Sequence, residues 1–126
     1  MIGFARGAGF ATNARMQAAE EFSCVFVTTP SIAVARKLAI VVLGEKLAAC
    51  ANLIPKIESH YYWEGQLQSS SEVLVLFKTA AGNLAELEKC VLKHHPYDTP
   101  EFVSFRLDQG NERYLAWVTE NTRKAS

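Results

Sequence analysis

The chain has 126 residues, 49% of them hydrophobic and 21% charged, which is one domain's length and enough to bury roughly two thirds of its unfolded surface. Thirteen Lys+Arg balance thirteen Asp+Glu, so the chain lacks the basic excess that marks broad nucleic-acid binding. No apolar run is long enough to span a bilayer, and the three cysteines, Cys24, Cys50 and Cys90, are odd in number, lack a C-x-x-C pair and read as free thiols of a reducing compartment.

Residues 1–19 contain Arg6 and Arg15 but no acid, no compact apolar block and no apolar period to dock. They read as a disordered or loosely docked tail, with residues 1–20 set apart from a domain over 21–126. The location read from this is cytoplasmic, with an organelle address in residues 1–19 as the alternative. Phe22–Thr28 is short, β-branched and aromatic, the pattern of a strand. Thr29-Pro30 then predicts a helix start, Thr as N-cap and Pro at the first helical position. Ile32, Ala35, Leu38, Ala39 and Val42 recur at helical spacing, and Glu45-Lys46-Leu47 extend the pattern past Gly44.

Cys50–Tyr62 is a long extended segment whose Pro55 calls for an edge position or a bulge. Glu64-Gly65 supplies a turn, and Glu72–Thr79 is a nearly continuous apolar strand, so the two runs form a long hairpin. Asn83 followed by Glu86 predicts a capping box for a helix that buries Leu84, Leu87 and Val91, with Cys90 beside them. Glu101–Leu107 alternates as a strand, and Gly110-Asn111 opens a last short helix. The order β-α-β-β-α-β plus a terminal helix is the ferredoxin-like α+β pattern, an antiparallel sheet with helices on one face. Val73–Phe77 leaves no polar face on its strand, so the second face of the sheet needs a cover that other copies of the chain would supply.

Between the second helix and the last main strand lies His94-His95-Pro96-Tyr97-Asp98-Thr99-Pro100-Glu101, which packs imidazoles, a phenol and carboxylates onto a connector stiffened by two prolines. His95, Tyr97 and Glu101 are its candidate binding residues, and the competing reading is a helix stop with histidines on the last carbonyls. His95 and Glu101 suit a borderline divalent ion, Cu(II) or another, bound weakly; no organic cofactor is expected. His94 should point elsewhere. Cys50, after Leu-Ala-Ala, reads as a small core residue first and a thiolate ligand second. Tyr61, Trp63, Tyr114 and Trp117 either line a cleft for a flat ligand or pack. Lys78 either pairs with Glu101 or an anionic ligand, or snorkels to the surface. The chain has no G-x-S-x-G, no P-loop and no Cys-His-Asn pattern, and it is read as a non-enzyme.

Glu45–Pro55 (EKLAACANLIP), Tyr61–Gly65 (YYWEG), Glu72–Thr79, His94–Glu101 (HHPYDTPE) and Gly110–Trp117 with its Tyr-x-x-Trp pair occur in the order found in the CutA family of divalent-cation tolerance proteins, which residues 22–122 resemble. The resemblance implies a ferredoxin-like subunit in a PII-like homotrimer, with sheets toward the three-fold axis, hairpins reaching neighbours and clefts between subunits. It implies a role in copper or divalent-cation tolerance, with metal binding; the balanced charge and the lack of a long apolar run predict no nucleic-acid and no membrane partner. Some bacterial relatives carry a cysteine just before Thr-x-Pro, proposed as a copper ligand; here Val27 stands there and Cys24 lies three residues earlier. The alternative is a PII-like signalling module that binds a small anionic ligand between subunits. Basic residues in the cleft around Lys78 would favour that alternative, and carboxylates converging with His95 would favour the cation.

Overall fold

In a computed structural model the described residues are 15–19 and 21–124. The elements are β1 (Met16–Ala18), β2 (Phe22–Thr29), α1 (Ile32–Gly44), β3 (Cys50–Trp63), β4 (Gln66–Ala80), a 3₁₀ turn (Ala81–Asn83), α2 (Leu84–His94), β5 (Val103–Arg106), β6 (Gln109–Asn111) and α3 (Glu112–Glu120). The main sheet is antiparallel with strand order β3-β4-β2-β5, which is the ferredoxin-like topology read from the sequence.

Side chains alternate across this sheet. Val25, Val27, Val73, Val75 and Phe77 face α1 and α2 and form the main core with Ala35, Leu38, Val42, Leu87 and Val91. The opposite face carries Cys24, Phe26 and Thr28 on β2, Leu74, Leu76 and Lys78 on β4, Cys50, Asn52 and Ile54 on β3, and Val103 and Phe105 on β5. α3 caps one end of that face: Phe22 packs with Ala19, Leu115 and Val118, and Cys50 Sγ lies 3.7 Å from the Tyr114 hydroxyl. The rest of that face stays open in the single chain, with Ile54 45%, Val103 45% and Phe105 52% exposed.

Several local expectations give way to tertiary geometry. Ser31, not Thr29, caps α1, because Ser31 Oγ accepts from the Val34 amide while the Thr29 hydroxyl donates to the Ser31 carbonyl. α1 stops at Gly44 rather than running through Leu47. Lys46 takes φ +57°, and the Lys46 and Leu47 amides bond back to the Leu43 and Val42 carbonyls, a left-handed helix stop built on a lysine. Asn83 does not close a capping box; its side-chain amide donates to the Arg123 carbonyl at 3.0 Å. Part of the stretch read as tail is in the fold: Met16–Ala18 pairs with Gln109–Asn111, and Ala19 is buried. That docking is made by backbone bonds, so no apolar period announces it. Residues 1–14 and Glu20 of that stretch lie outside the described residues.

The hairpin extends further than its apolar signal. Gln66–Ser71 is polar apart from Leu67 and mostly exposed, yet it pairs with Glu58–Trp63 through a two-residue turn in which Glu64 and Gly65 both have positive φ. The register shifts between Ile54 and Ile57, where Pro55 and Lys56 (φ +60°) make the bulge on the edge strand. At α3, Asn111 caps as the sequence predicts, accepting from the Arg113 and Tyr114 amides at 3.1 Å each. Asn111→Ala is expected to cost about 1 kcal/mol in denaturant unfolding, the usual worth of a cap.

Candidate functional site: an acidic aromatic cleft

The structure divides the candidate residues between two places. The first is where the His-Pro connector meets the hairpin. Pro96 ends α2 and turns the His95 backbone extended (φ −84°, ψ 137°), which drives its ring inward under the sheet. His95 is 8% exposed, and both ring nitrogens meet backbone: Nε2–H donates to the Thr28 carbonyl at 2.7 Å, and Nδ1 accepts from the Tyr97 amide at 3.1 Å. This is the neutral Nε2–H tautomer, and neither nitrogen is open to a ligand while the two bonds stand. The Tyr97 ring tilts against it with centroids 4.8 Å apart. His94 turns the other way, Nδ1–H to the Cys90 carbonyl at 2.9 Å.

Tyr97 carries the site onward. Its hydroxyl donates to Glu72 Oε2 at 2.8 Å, and Glu72 is a buried carboxylate at the base of the hairpin arm. Burial, then the hydrogen bond and charge of Glu72, push the Tyr97 phenol up to about 12. Burial and then the Glu72 charge also raise the Glu101 carboxyl above its ordinary value. Glu72, which periodicity assigns only to a strand, is therefore the residue that sequence reasoning missed; a charge opening an apolar strand was the available signal. Beside these groups a cavity of about 370 Å³ is lined by Tyr61, Trp63, Pro96, Tyr97, Asp98 and Thr99, with no basic side chain among them.

The second place is the α3-covered end of the sheet, which holds Lys78, Cys50, Tyr114 and Trp117. Register sets Lys78 between Cys24 and Cys50. It donates to Asn52 Oδ1 at 2.6 Å and forms no ion pair with Glu101, because the strand carries it to the end of the sheet away from Glu72. Cys50 is half-buried rather than a core residue. Tyr114 and Trp117 lie on one side of α3 with ring centroids 5.9 Å apart, packed against the Phe22–Leu115 cluster and away from Tyr61 and Trp63. Burial, then Cys50, raises the Tyr114 phenol. The cysteines are free, and burial holds Cys24 above an ordinary thiol and Cys90, with Glu45 beside it, at about 11, so neither is poised as a thiolate. Among the described residues no three His, Cys, Asp or Glu side chains converge to hold a metal within one chain.

An antiparallel ferredoxin-like sheet, a hairpin arm running past it and a Tyr97–Glu72 hydrogen bond at the arm's base define a class of α+β proteins. The chain belongs to the CutA1 divalent ion tolerance protein family, whose pattern matches residues 23–121. It is 44% identical over 99 residues to the divalent-cation tolerance protein CutA of Escherichia coli, covering 79% of this chain and 88% of that protein. It is 43% identical over 99 residues to the chloroplastic protein CutA of Arabidopsis thaliana, covering 79% of this chain and 54% of that protein, so the match spans about half of that relative's length. Among solved structures it is similar to CutA1 of Oryza sativa (TM-score 0.80, 40% identity, 82% of this chain and 94% of that chain). It is also similar to the divalent cation tolerance protein of Thermus thermophilus (TM-score 0.79, 39% identity, 81% and 99%). No described helix is long and apolar enough to cross a membrane.

Proposed function

We propose that this protein is a divalent-cation response protein that works as a homotrimer and captures ions such as Cu(II) weakly through carboxylates, in a binding role without catalysis. The observation that carries the cation reading is the Glu72–Glu101 pair: burial and then the charge of the buried Glu72 raise the Glu101 carboxyl, beside a cleft whose lining includes Asp98 and no basic side chain. A bound cation would relieve that repulsion. The donor set fits in part, since two carboxylates fall short of a coordination shell and water or a neighbouring subunit must complete it; this keeps affinity modest. His95 supports the site by orienting Tyr97 rather than by ligation, and Cys50 lies at the other end of the sheet. The half-buried Leu74 and Leu76 with exposed Ile54, Val103 and Phe105 support the assembly, because other copies would cover them.

Calorimetric titration of Cu(II) and Zn(II) tests the reading. Glu101→Gln should weaken binding several-fold, while Cys50→Ser should bind as wild type. The Glu101 carboxyl is raised, so protons compete from a higher pH than at an ordinary carboxylate of 4.5, and cation binding should fall as pH drops through that raised value. The same sign governs stability without metal: a raised acid favours the fold when protonated, so Glu101→Gln should stabilise the protein at neutral pH and lose that advantage below the ordinary carboxylate range. Unchanged cation binding in Glu101→Gln removes the carboxylate site. The aromatic walls Tyr61, Trp63 and Tyr97 favour the second reading, a PII-like module that stacks a flat anionic ligand between subunits, and that reading takes first place if no variant or wild type binds cations.

A further inference from the structure

A second cavity, of about 550 Å³, lies at the end of the sheet where β2 begins, β5 ends and the chain leaves α3. Its volume is that of a small-molecule site, typically roughly 300–1,000 Å³. Phe22, Ala80 and Ala81 give it an apolar floor, while Arg106, Arg123 and Lys124 stand around it against a single carboxylate, Glu21. We propose that this cavity binds a small organic oxyanion, an apolar body carrying a phosphate or carboxylate group, at a site separate from the Tyr61–Tyr97 cleft.

The charge arrangement carries the inference. Among the described residues neither Arg106 nor Lys124 has an ion-pair partner, and Glu21 has none either. Arg123 is the fixed member. Its amide donates to the Lys46 carbonyl at 2.8 Å, its Nε–H donates to the Glu45 carbonyl at 3.0 Å, and Nη2 lies 3.5 Å from Glu45 Oε1. Those contacts occupy part of a five-donor guanidinium and leave N–H groups to spare. The buried Asn83 ties the opposite wall to this segment by donating to the Arg123 carbonyl. Two unpaired cations gathered beside a third repel one another, and an oxyanion seated between them offsets that repulsion while Arg supplies paired donors. The floor then excludes water from the ligand's body, which a bare inorganic ion would not use.

The test is an NMR titration of the full-length chain with phenyl phosphate, benzoate, inorganic phosphate and neutral benzyl alcohol. Phenyl phosphate or benzoate should shift the amides of Ala81, Gly82, Asn83 and residues 122–124, with benzyl alcohol at least about tenfold weaker, a difference of about 1.4 kcal/mol. Tighter phenyl phosphate assigns a phosphate ligand, and tighter benzoate a carboxylate. Arg106→Gln combined with Lys124→Gln should weaken the oxyanion at least about tenfold. Both side chains are exposed and unpaired, so this variant keeps the fold. Equal binding by the double variant, equal binding of benzyl alcohol, inorganic phosphate binding as tightly as phenyl phosphate, or amides that do not move at millimolar ligand would each overturn the proposal. Because the signals of Tyr61, Trp63 and Tyr97 report the other cleft, failure here leaves the cation reading standing.

Discussion

Leu76→Asp is expected to break the assembly into single chains. Leu76 sits mid-sheet on the open face, paired across the strands with Phe26 on one side and Asn52 on the other. Its own chain covers it only in part. In a trimer formed through this face the new carboxylate leaves water with one cation within reach, Lys78, which lies two residues on and already donates to Asn52 beside it. Taking a carboxylate out of water costs more than one already hydrogen-bonded lysine returns, about 3 kcal/mol or more per subunit, so the association constant should fall by more than about a hundredfold. Light scattering at micromolar concentration reads the result directly. Wild type at the mass of a single chain would remove the assembly reading, and Leu76→Asp at three times that mass would show that this face is not the interface. Asp at Lys78 would not serve, because it would also break the Asn52 contact.

His95→Ala is expected to destabilise the fold by roughly 2–4 kcal/mol and to leave cation affinity, measured on the folded fraction, within a few-fold of wild type. The ring fills a buried position, and its loss orphans the Thr28 carbonyl and the Tyr97 amide together. Gln at this position can donate to the carbonyl again and should restore part of the loss. Equilibrium denaturation in urea, with calorimetric titration on the same preparations, separates the roles. Full stability with cation binding abolished would make His95 a ligand and the two backbone bonds incidental. The expected loss reflects the way His-Pro works here: proline stops the helix, and the imidazole then ties the stop to β2 and aims Tyr97 at Glu72.

Much of this protein was legible in its sequence, for reasons that differ from element to element. Val25, Val27, Val73, Val75 and Phe77 alternate because a strand's side chains alternate, and α1 and α2 show their buried stripes because a helix repeats every 3.6 residues. Those periods, with Pro55 at a bulge and Glu64-Gly65 at a turn, were sufficient for the ferredoxin-like order. The outer hairpin strand was not: Gln66–Ser71 is held mainly by backbone pairing, and a segment that is polar but for the exposed Leu67 leaves no apolar period. Strand Met16–Ala18 was hidden for the same reason. The stop of α1 was misplaced because the left-handed position fell on Lys46, where glycine is the usual sign.

The site shows the sharper division. Local chemistry marked out His95, Tyr97 and Glu101, since two prolines make a rigid connector wherever they occur. Which atoms of those residues remain available is a question of what the chain brings from far away. Thr28, 67 positions upstream, takes the Nε2–H of His95 and changes a candidate ligand into a brace. Glu72, 25 positions from Tyr97, accepts its hydroxyl and raises Glu101. Strand register sends Lys78 and Cys50 to the end under α3, away from the cleft. Sequence by itself determined the elements and the chemistry each could offer, because periodicity and backbone restriction are local. Only the tertiary structure decided which polar groups satisfy one another, because a buried hydrogen bond joins residues whose separation along the chain carries no pattern.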